Sequence, residues 1–110
     1  MKLAIYGAQA MARGAGMALR ELYPQRAVEC FLVTSMAGNE PKLMDIPVRE
    51  IADFSRNMSQ ENKDDMEILL AVPEAAQEEI EVTLESQGFV YHQRLTSVRW
   101  AELMSAFYLR

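Results

Sequence analysis

The turn at residues 7–11 has the residue types and the position that could bind a phosphate group. It follows the apolar run at residues 3–6, and its first residue, Gly7, allows a tight turn from a strand into a helix. The unpaired amide groups at the beginning of such a helix attract anions. We therefore predict five candidate ligand-binding residues in this turn: Gly7, Ala8, Gln9, Ala10 and Met11.

Only part of a dinucleotide-binding fingerprint is present in this turn. That fingerprint places glycine at its first, third and sixth positions, which here are Gly7, Gln9 and Ala12. Alanine is accepted at the sixth position, but Gln9 puts a side chain where a pyrophosphate would approach the backbone. The acidic residue expected after the second strand is also missing, since Thr34 and Ser35 stand there. The pattern disfavours NAD, and it leaves open both weaker nucleotide binding and a turn that serves the fold alone.

A second turn, directly after the apolar run at residues 66–72, is predicted to lie beside the first. In an open α/β sheet, ligands bind beyond the carboxyl ends of the strands, where the strand order reverses. The first and fourth predicted strands flank that point. Val72 and Pro73, at the end of the fourth strand, therefore complete the candidate ligand-binding set.

The other reactive residues predict no catalytic group and no metal site. Cys30 is the single cysteine and lies in an apolar strand, which indicates a buried structural thiol. His92 is the single histidine, and it has no serine, cysteine or paired carboxylate at a spacing typical of a catalytic set. One cysteine and one histidine also exclude a metal site built from these two residue types.

Hydrophobic spacing predicts the elements that position the two turns. Five strands are predicted, at residues 3–6, 27–34, 45–48, 66–72 and 89–95, with helical periodicity between and after them. The alternation favours one Rossmann-like α/β domain over residues 1–110. We expect three layers, in which a parallel sheet of about five strands, in the order 3-2-1-4-5, has helices on both faces.

Charge and hydropathy disfavour several kinds of partner. The chain has 16 acidic and 11 basic residues, for a net charge of −5, and the acids are concentrated at residues 61–85. Such a surface repels phosphate backbones, so we predict no nucleic-acid partner. No apolar run approaches the roughly 20 residues that a membrane span needs, and no signal-peptide pattern follows Met1. We therefore expect a cytoplasmic protein without a membrane span.

The last predicted helix begins with Ser97 as its N-cap and is apolar on more than one face. Two interpretations are open: the helix is wedged between the sheet and a neighbouring helix, or it contacts a following domain or a second copy of the chain. The residues proposed for such contacts are Trp100, Met104, Phe107 and Tyr108. The end of the sequence at residues 108–110, without a polar tail, favours the N-terminal part of a longer protein.

Five short stretches carry a resemblance to known proteins. They are residues 2–8 (Lys-Leu-Ala-Ile-Tyr-Gly-Ala), 31–35 (Phe-Leu-Val-Thr-Ser), 46–48 (Ile-Pro-Val), 70–74 (Leu-Ala-Val-Pro-Glu) and 95–104 (Leu-Thr-Ser-Val-Arg-Trp-Ala-Glu-Leu-Met). Together they resemble the N-terminal Rossmann-like segment of bacterial capsule and polysaccharide biosynthesis proteins that precedes glycosyltransferase-type domains. The strand order and the Ile-Pro-Val tripeptide are also similar to the N-terminal domain of bacterial sugar O-acetyltransferases and acyltransferases.

The resemblance implies an accessory, non-catalytic domain, with a glycosyltransferase as the full-length protein. Its partner would be a downstream catalytic domain of the same chain, or a second copy in a homodimer formed through the C-terminal helix. The alternative is a module that binds a nucleotide or nucleotide sugar in a sugar acyltransferase-like protein. That second family has a glycine-rich first turn and acidic residues after the second strand, where this chain has Gln9 and Thr34. Only Gly7 and its neighbours are therefore carried over as candidate contacts.

Overall fold

The computed structural model describes residues 1–110, which form six strands and five helices. The strands are β1 (Lys2–Tyr6), β2 (Val28–Val33), β3 (Lys42–Leu43), β4 (Ile46–Glu50), β5 (Met66–Leu70) and β6 (Tyr91–Arg94). The helices are α1 (Ala10–Leu22), α2 (Ile51–Arg56), α3 (Gln60–Asp64), α4 (Glu74–Ser86) and α5 (Ser97–Tyr108). The α/β class predicted from hydrophobic spacing is confirmed. None of the helices has the length and apolar character that crossing a membrane requires.

All six strands belong to one sheet, in the order β3-β4-β2-β1-β5-β6. Five of them pair in parallel, and β3 pairs antiparallel with β4 at one edge. The predicted sheet of about five parallel strands is therefore wrong in its count. The predicted strand order is also wrong, because it lacks β3 at the edge of the sheet. The sheet is not purely parallel, since β3 runs antiparallel to β4.

The missed strand has a local physical explanation. Strand β3 contains two residues, one of them a lysine, so no apolar run marks it. It is joined to β4 by a two-residue turn in which Met44 and Asp45 both have positive φ angles, of 56° and 63°. Such turns usually contain glycine or asparagine, because these residues adopt positive φ at little cost. The dipeptide Met44-Asp45 carries no such signal.

Both faces of the sheet are covered, since successive residues of the central strands point to opposite sides. On the side of α2 and α4, the apolar cluster includes Ala4, Tyr6, Cys30, Leu32, Ile68, Leu70, Ile51, Leu84 and Phe89. On the side of α1 and α5, it includes Ile5, Phe31, Val33, Ala12, Ala15 and Leu95, with Trp100 and Leu103 packed against it. Burial on both sides explains why residues 3–6 of β1 and residues 30–33 of β2 are continuous apolar runs rather than alternating ones.

Two glycines inside α1 let neighbouring elements approach that helix closely. A Cβ atom added at Gly14 would lie 2.7 Å from Cη2 of Trp100 in α5. One added at Gly16 would lie 3.1 Å from both Cζ of Phe31 and Sδ of Met44. These two glycines therefore serve the packing of α1 against α5 and the sheet.

Helix α5 begins with a different cap from the one predicted. The N-cap is Thr96, whose hydroxyl accepts a hydrogen bond from the Arg99 amide at 3.2 Å. The predicted cap, Ser97, is instead the first residue of the helix, and its amide donates to the carboxylate of Glu74 at the beginning of α4. Threonine and serine are both good N-cap residues, so the sequence does not distinguish Thr96 from its neighbour Ser97.

Candidate functional site

A pocket of about 470 Å³ lies beyond the carboxyl ends of β1, β2 and β5. These three strands are neighbours in the sheet, and β1 is central among them, so the chain leaves β1 at the point where the strand order reverses. All seven candidate residues from the sequence line this pocket: Gly7, Ala8, Gln9, Ala10, Met11, Val72 and Pro73. The turns after β1 and β5, which are far apart along the chain, thus form one wall.

Gly7 shapes the floor of the pocket and is required by the backbone itself. Its φ is +126°, and an added Cβ atom would lie 2.6 Å from the carbonyl oxygen of Ala71. Its amide donates to the carbonyl of Leu32 at 2.7 Å, while the amide of Ala71 donates to the carbonyl of Tyr6 at 2.9 Å. These bonds join the ends of β1, β2 and β5. A glycine is therefore needed here whether or not a ligand binds.

The beginning of α1 faces the pocket with unpaired amide groups. Gln9 is the N-cap residue with an extended backbone, and its side chain forms no capping hydrogen bond. Its carbonyl accepts the first helical hydrogen bond, from the amide of Arg13 at 3.0 Å. The first turn contains no acidic residue. The amides of Ala10 and Met11 are therefore available to an anion at this end of the pocket.

A side-chain hydrogen bond joins the two loops that border the pocket. Nε2 of Gln9 donates to Oδ1 of Asn39 at 2.7 Å, and both residues line the pocket. We refer to this pair as the Gln9–Asn39 bridge. Asn39 is anchored further, because its Nδ2 donates to the carbonyl of Ser35 at 3.0 Å and its amide to the carbonyl of Met36 at 3.0 Å. The sequence did not reveal this bridge, since nothing local to Asn39 indicates a partner thirty residues away.

Tyr6 and Thr34 form a second polar contact at the end of the pocket beside β2. Their hydroxyl oxygens lie 2.6 Å apart, and only 2% of the surface of Tyr6 is exposed. Burial raises the pKa of Tyr6; the hydrogen bond to Thr34 opposes this effect and the carboxylate of Glu50 adds to it. The Tyr6 hydroxyl therefore stays protonated at neutral pH and acts as a hydrogen-bonding group rather than a base.

The pocket combines neutral polar groups with apolar walls. None of its 14 lining residues is an acid or a base with a charge at neutral pH. The polar groups belong to Tyr6, Gln9, Thr34, Ser35 and Asn39. The other lining side chains are small or apolar, and Val33, Val72 and Ile80 are the branched ones. This lining suits a neutral ring or sugar, with an anionic group at the beginning of α1.

The other reactive residues lie outside the pocket. Cys30 is buried in the core, and burial raises its pKa to about 12, with Arg49 opposing the effect. His92 lies between two carboxylates of α4, with Nδ1 2.9 Å from Glu81 and Nε2 3.2 Å from Glu85. No group of three or more His, Cys, Asp or Glu side chains is arranged to hold a metal ion.

The four residues proposed for partner contacts differ in their exposure. The ring of Trp100 packs against Gly14 within the domain. Met104 and Phe107 are half-buried, whereas Tyr108 is 75% exposed. The structure thus favours the wedged interpretation for Trp100 and leaves the end of α5 accessible.

The fold and the pocket together define a class, which is an α/β protein with a mostly parallel sheet and a neutral pocket at the carboxyl ends of its strands. Comparison with known proteins gives no closer assignment. No protein-family model matches the sequence, and no match was found among curated proteins. The geometry of the pocket is therefore the basis on which a function is proposed.

Proposed function

We propose that this chain is an accessory, non-catalytic, Rossmann-like domain of a bacterial surface-polysaccharide biosynthesis protein, with a glycosyltransferase as the associated enzyme. The observation that carries the proposal is the pocket beyond β1, β2 and β5, which has no acid, base or activated nucleophile in its lining. A pocket at this place is typical of ligand binding in α/β folds. The link to polysaccharide synthesis is supported by the resemblance of the five sequence stretches.

The non-catalytic part of the proposal follows from the side chains in the pocket. Acid–base catalysis needs a group that exchanges a proton near neutral pH, and nucleophilic catalysis needs an activated hydroxyl or thiol. Burial raises the pKa of Tyr6, and Thr34 is hydrogen-bonded to it rather than to a base. The thiol of Cys30 lies in the core outside the pocket. The pocket therefore favours binding over chemistry.

A second candidate function, the binding of a nucleotide or nucleotide sugar, is favoured by the beginning of α1. The uncapped amides of Ala10 and Met11 would contact a phosphate, and the apolar wall with Val72 and Ile80 would hold a neutral ring. The volume of about 470 Å³ lies within the usual range for ligand pockets. The two candidates are compatible, because an accessory domain can bind the sugar donor that its enzyme uses. We propose the cytoplasm as the location of the domain under either function.

The proposed partner is a downstream catalytic domain of the same chain or a second copy. Tyr108, with Leu109 directly after α5, offers the most exposed apolar surface near that helix, at 75% and 84% exposure. Met104 and Phe107 would lie at the edge of such a contact, because they are half-buried already. Trp100 would not touch the partner directly, because its ring packs against Gly14 of α1; it would instead hold α5 in the position at which the partner binds.

Calorimetric titration of the chain with uridine nucleotides, UDP-glucose and NAD tests the binding function. We expect binding of uridine nucleotides in the millimolar range or tighter, with NMR shifts at residues 7–11 and 72–73, and weaker binding of NAD. No response at millimolar ligand would contradict nucleotide binding. Breakdown of UDP-glucose during a long incubation, removed by a pocket substitution, would contradict the non-catalytic assignment.

The accessory function is tested separately in bacteria. An in-frame deletion of the segment that encodes residues 1–110 should lower the amount of surface polysaccharide while the associated enzyme is still produced. Restoring the segment should restore the polysaccharide. An unchanged amount of polysaccharide in the deletion strain would contradict the accessory function, whatever the outcome of the titrations.

A further inference from the structure

The Gln9–Asn39 bridge places a side chain on a path that a diphosphate would need. Gln9 occupies the third position of the glycine fingerprint, where the missing side chain of glycine lets a pyrophosphate run along the backbone. The hydrogen bond of 2.7 Å directs the Gln9 carboxamide towards Asn39, in the loop that follows β2. Asn39 is itself held by the carbonyl groups of Ser35 and Met36. A ligand that crosses from α1 towards β2 must therefore displace the bridge.

The charges around the pocket also disfavour the binding of a diphosphate. A second phosphate group at the side of β2 would meet neutral carboxamide and hydroxyl groups, since no lysine or arginine lines the pocket. The carboxylate of Glu50 adds negative charge on that side, since it acts on the hydroxyl of Tyr6. Buried or half-buried phosphates are usually compensated by cations or by several amide donors. The beginning of α1, which has no acidic residue in its first turn, offers such amides here, whereas α4 begins with Glu74.

We infer that the Gln9–Asn39 bridge determines ligand specificity, so that the pocket prefers a nucleotide with a single phosphate over one with a diphosphate. The preferred class includes nucleoside monophosphates and sugars linked through one phosphate. This inference rests on the proposed binding of a nucleotide. The bridge is one neutral hydrogen bond, so the preference that it creates is about tenfold in affinity.

Two nucleotide pairs that share a base test the inference: UMP with UDP, and AMP with ADP. For a nucleotide pair that the unmodified chain binds, calorimetry should show about tenfold tighter binding of the monophosphate than of the diphosphate. The substitution Gln9→Gly, which creates the missing fingerprint glycine, should tighten diphosphate binding about tenfold relative to monophosphate binding. Gln9→Ala also breaks the bridge, and it should shift the ratio in the same direction.

A matched control and a folding check accompany these variants. Gln25→Gly makes the same chemical change at an exposed position outside the pocket, and it should leave both affinities unchanged. Glycine is tolerated at an N-cap, so Gln9→Gly should melt close to the unmodified chain. If Gln9→Gly loses the circular dichroism spectrum of the folded protein, the inference is tested with Gln9→Ala, by the same ratio of monophosphate to diphosphate affinity.

The outcomes separate this inference from the proposed function. Equal binding of the monophosphate and the diphosphate by the unmodified chain would overturn the inference while leaving nucleotide binding intact. An unchanged ratio in both Gln9 variants would have the same consequence. No binding of any of the four nucleotides to the unmodified chain or to Gln9→Gly would overturn the proposed nucleotide binding itself, and the inference with it.

Discussion

The indole ring of Trp100 lies directly over Gly14, where α5 crosses α1. A Cβ atom on residue 14 would come within 2.7 Å of Cη2 of the ring and within 3.5 Å of Cζ2. Trp100 and Leu103 of α5 pack against the same apolar cluster as Ala12 and Ala15 of α1. The glycine therefore sets the distance between the two helices on this face of the sheet.

The substitution Gly14→Ala should destabilise the protein by about 1 kcal/mol, although alanine normally stabilises a helix interior by a similar amount. The reason is the overlap between the new methyl group and the Trp100 ring. In a Trp100→Leu background the ring is absent, so the same substitution should stabilise the protein by up to about 1 kcal/mol. Urea denaturation of the four proteins measures both effects. An equal effect of Gly14→Ala in the two backgrounds would contradict the contact.

Gly7→Ala should destabilise the protein by about 3 kcal/mol or prevent folding, because positive φ and close approach act together. The added methyl group would lie 2.6 Å from the Ala71 carbonyl oxygen. Gly38→Ala is the matched control, since Gly38 also has a positive φ, of 76°, but no atom within 4 Å of an added Cβ. It should cost about 1 kcal/mol, from the backbone conformation alone. Similar losses of stability in both variants, measured by thermal denaturation, would show that the close approach at Gly7 is unimportant.

Ala10→Glu should weaken nucleotide binding about tenfold or more while leaving the fold intact. Residue 10 is exposed, lines the pocket and is the first residue of α1. A carboxylate in the first turn of a helix interacts favourably with the helix dipole, but it repels a phosphate at the same place. Ala10→Gln has nearly the same shape without the charge, and it should bind more tightly than Ala10→Glu. Calorimetry at low and high salt measures the difference, which should shrink as salt rises. Equal affinities of the two variants at low salt would argue against a phosphate at this helix end.

Glu81 should make the stability of the protein depend on pH in the acid range. Burial opposes ionisation of this carboxyl group, but hydrogen bonds from Arg94 and His92 outweigh burial and hold its pKa below the usual value of 4.5. Because the folded pKa is depressed, the stabilisation is complete above the unfolded pKa and is lost as pH falls through the folded pKa.

The substitution Glu81→Gln should therefore remove part of the decrease in stability that occurs below about pH 4.5. Its cost near neutral pH should be within about 1 kcal/mol, since the partner Arg94 is largely exposed. Glu78→Gln, at an exposed position of the same helix without an ion pair, is the control. Urea midpoints between pH 3 and pH 7 provide the comparison. Parallel curves for the unmodified chain and Glu81→Gln would contradict the role of the Arg94 contact.

Much of the fold and the membership of the pocket followed from local patterns. The apolar runs that became β1 and β5 are marked by their own residues, because a strand buried on both faces needs an apolar side chain at nearly every position. Gly7 marked the turn, since few residues adopt its backbone angle. In a parallel sheet the carboxyl ends of neighbouring strands meet at one edge, so residues 7–11 and 72–73 were expected together, and they line one pocket. That the pocket binds a nucleotide stays a prediction.

Other features depended on contacts between residues far apart in the chain. Strand β3 exists because β4 offers it backbone partners, and its two residues carry no pattern of their own. The sequence around Gly14 gives no reason for a glycine inside α1, and the reason lies in α5, where the Trp100 ring packs against it. The Gln9–Asn39 bridge joins residues thirty positions apart, and each is an ordinary polar residue in its own segment. Sequence alone therefore determined the elements apart from β3, the first turn and the side of the sheet where a ligand would bind. Only the tertiary structure decided which side chains close that site, because packing and hydrogen bonding select partners by distance in space, which local spacing does not encode.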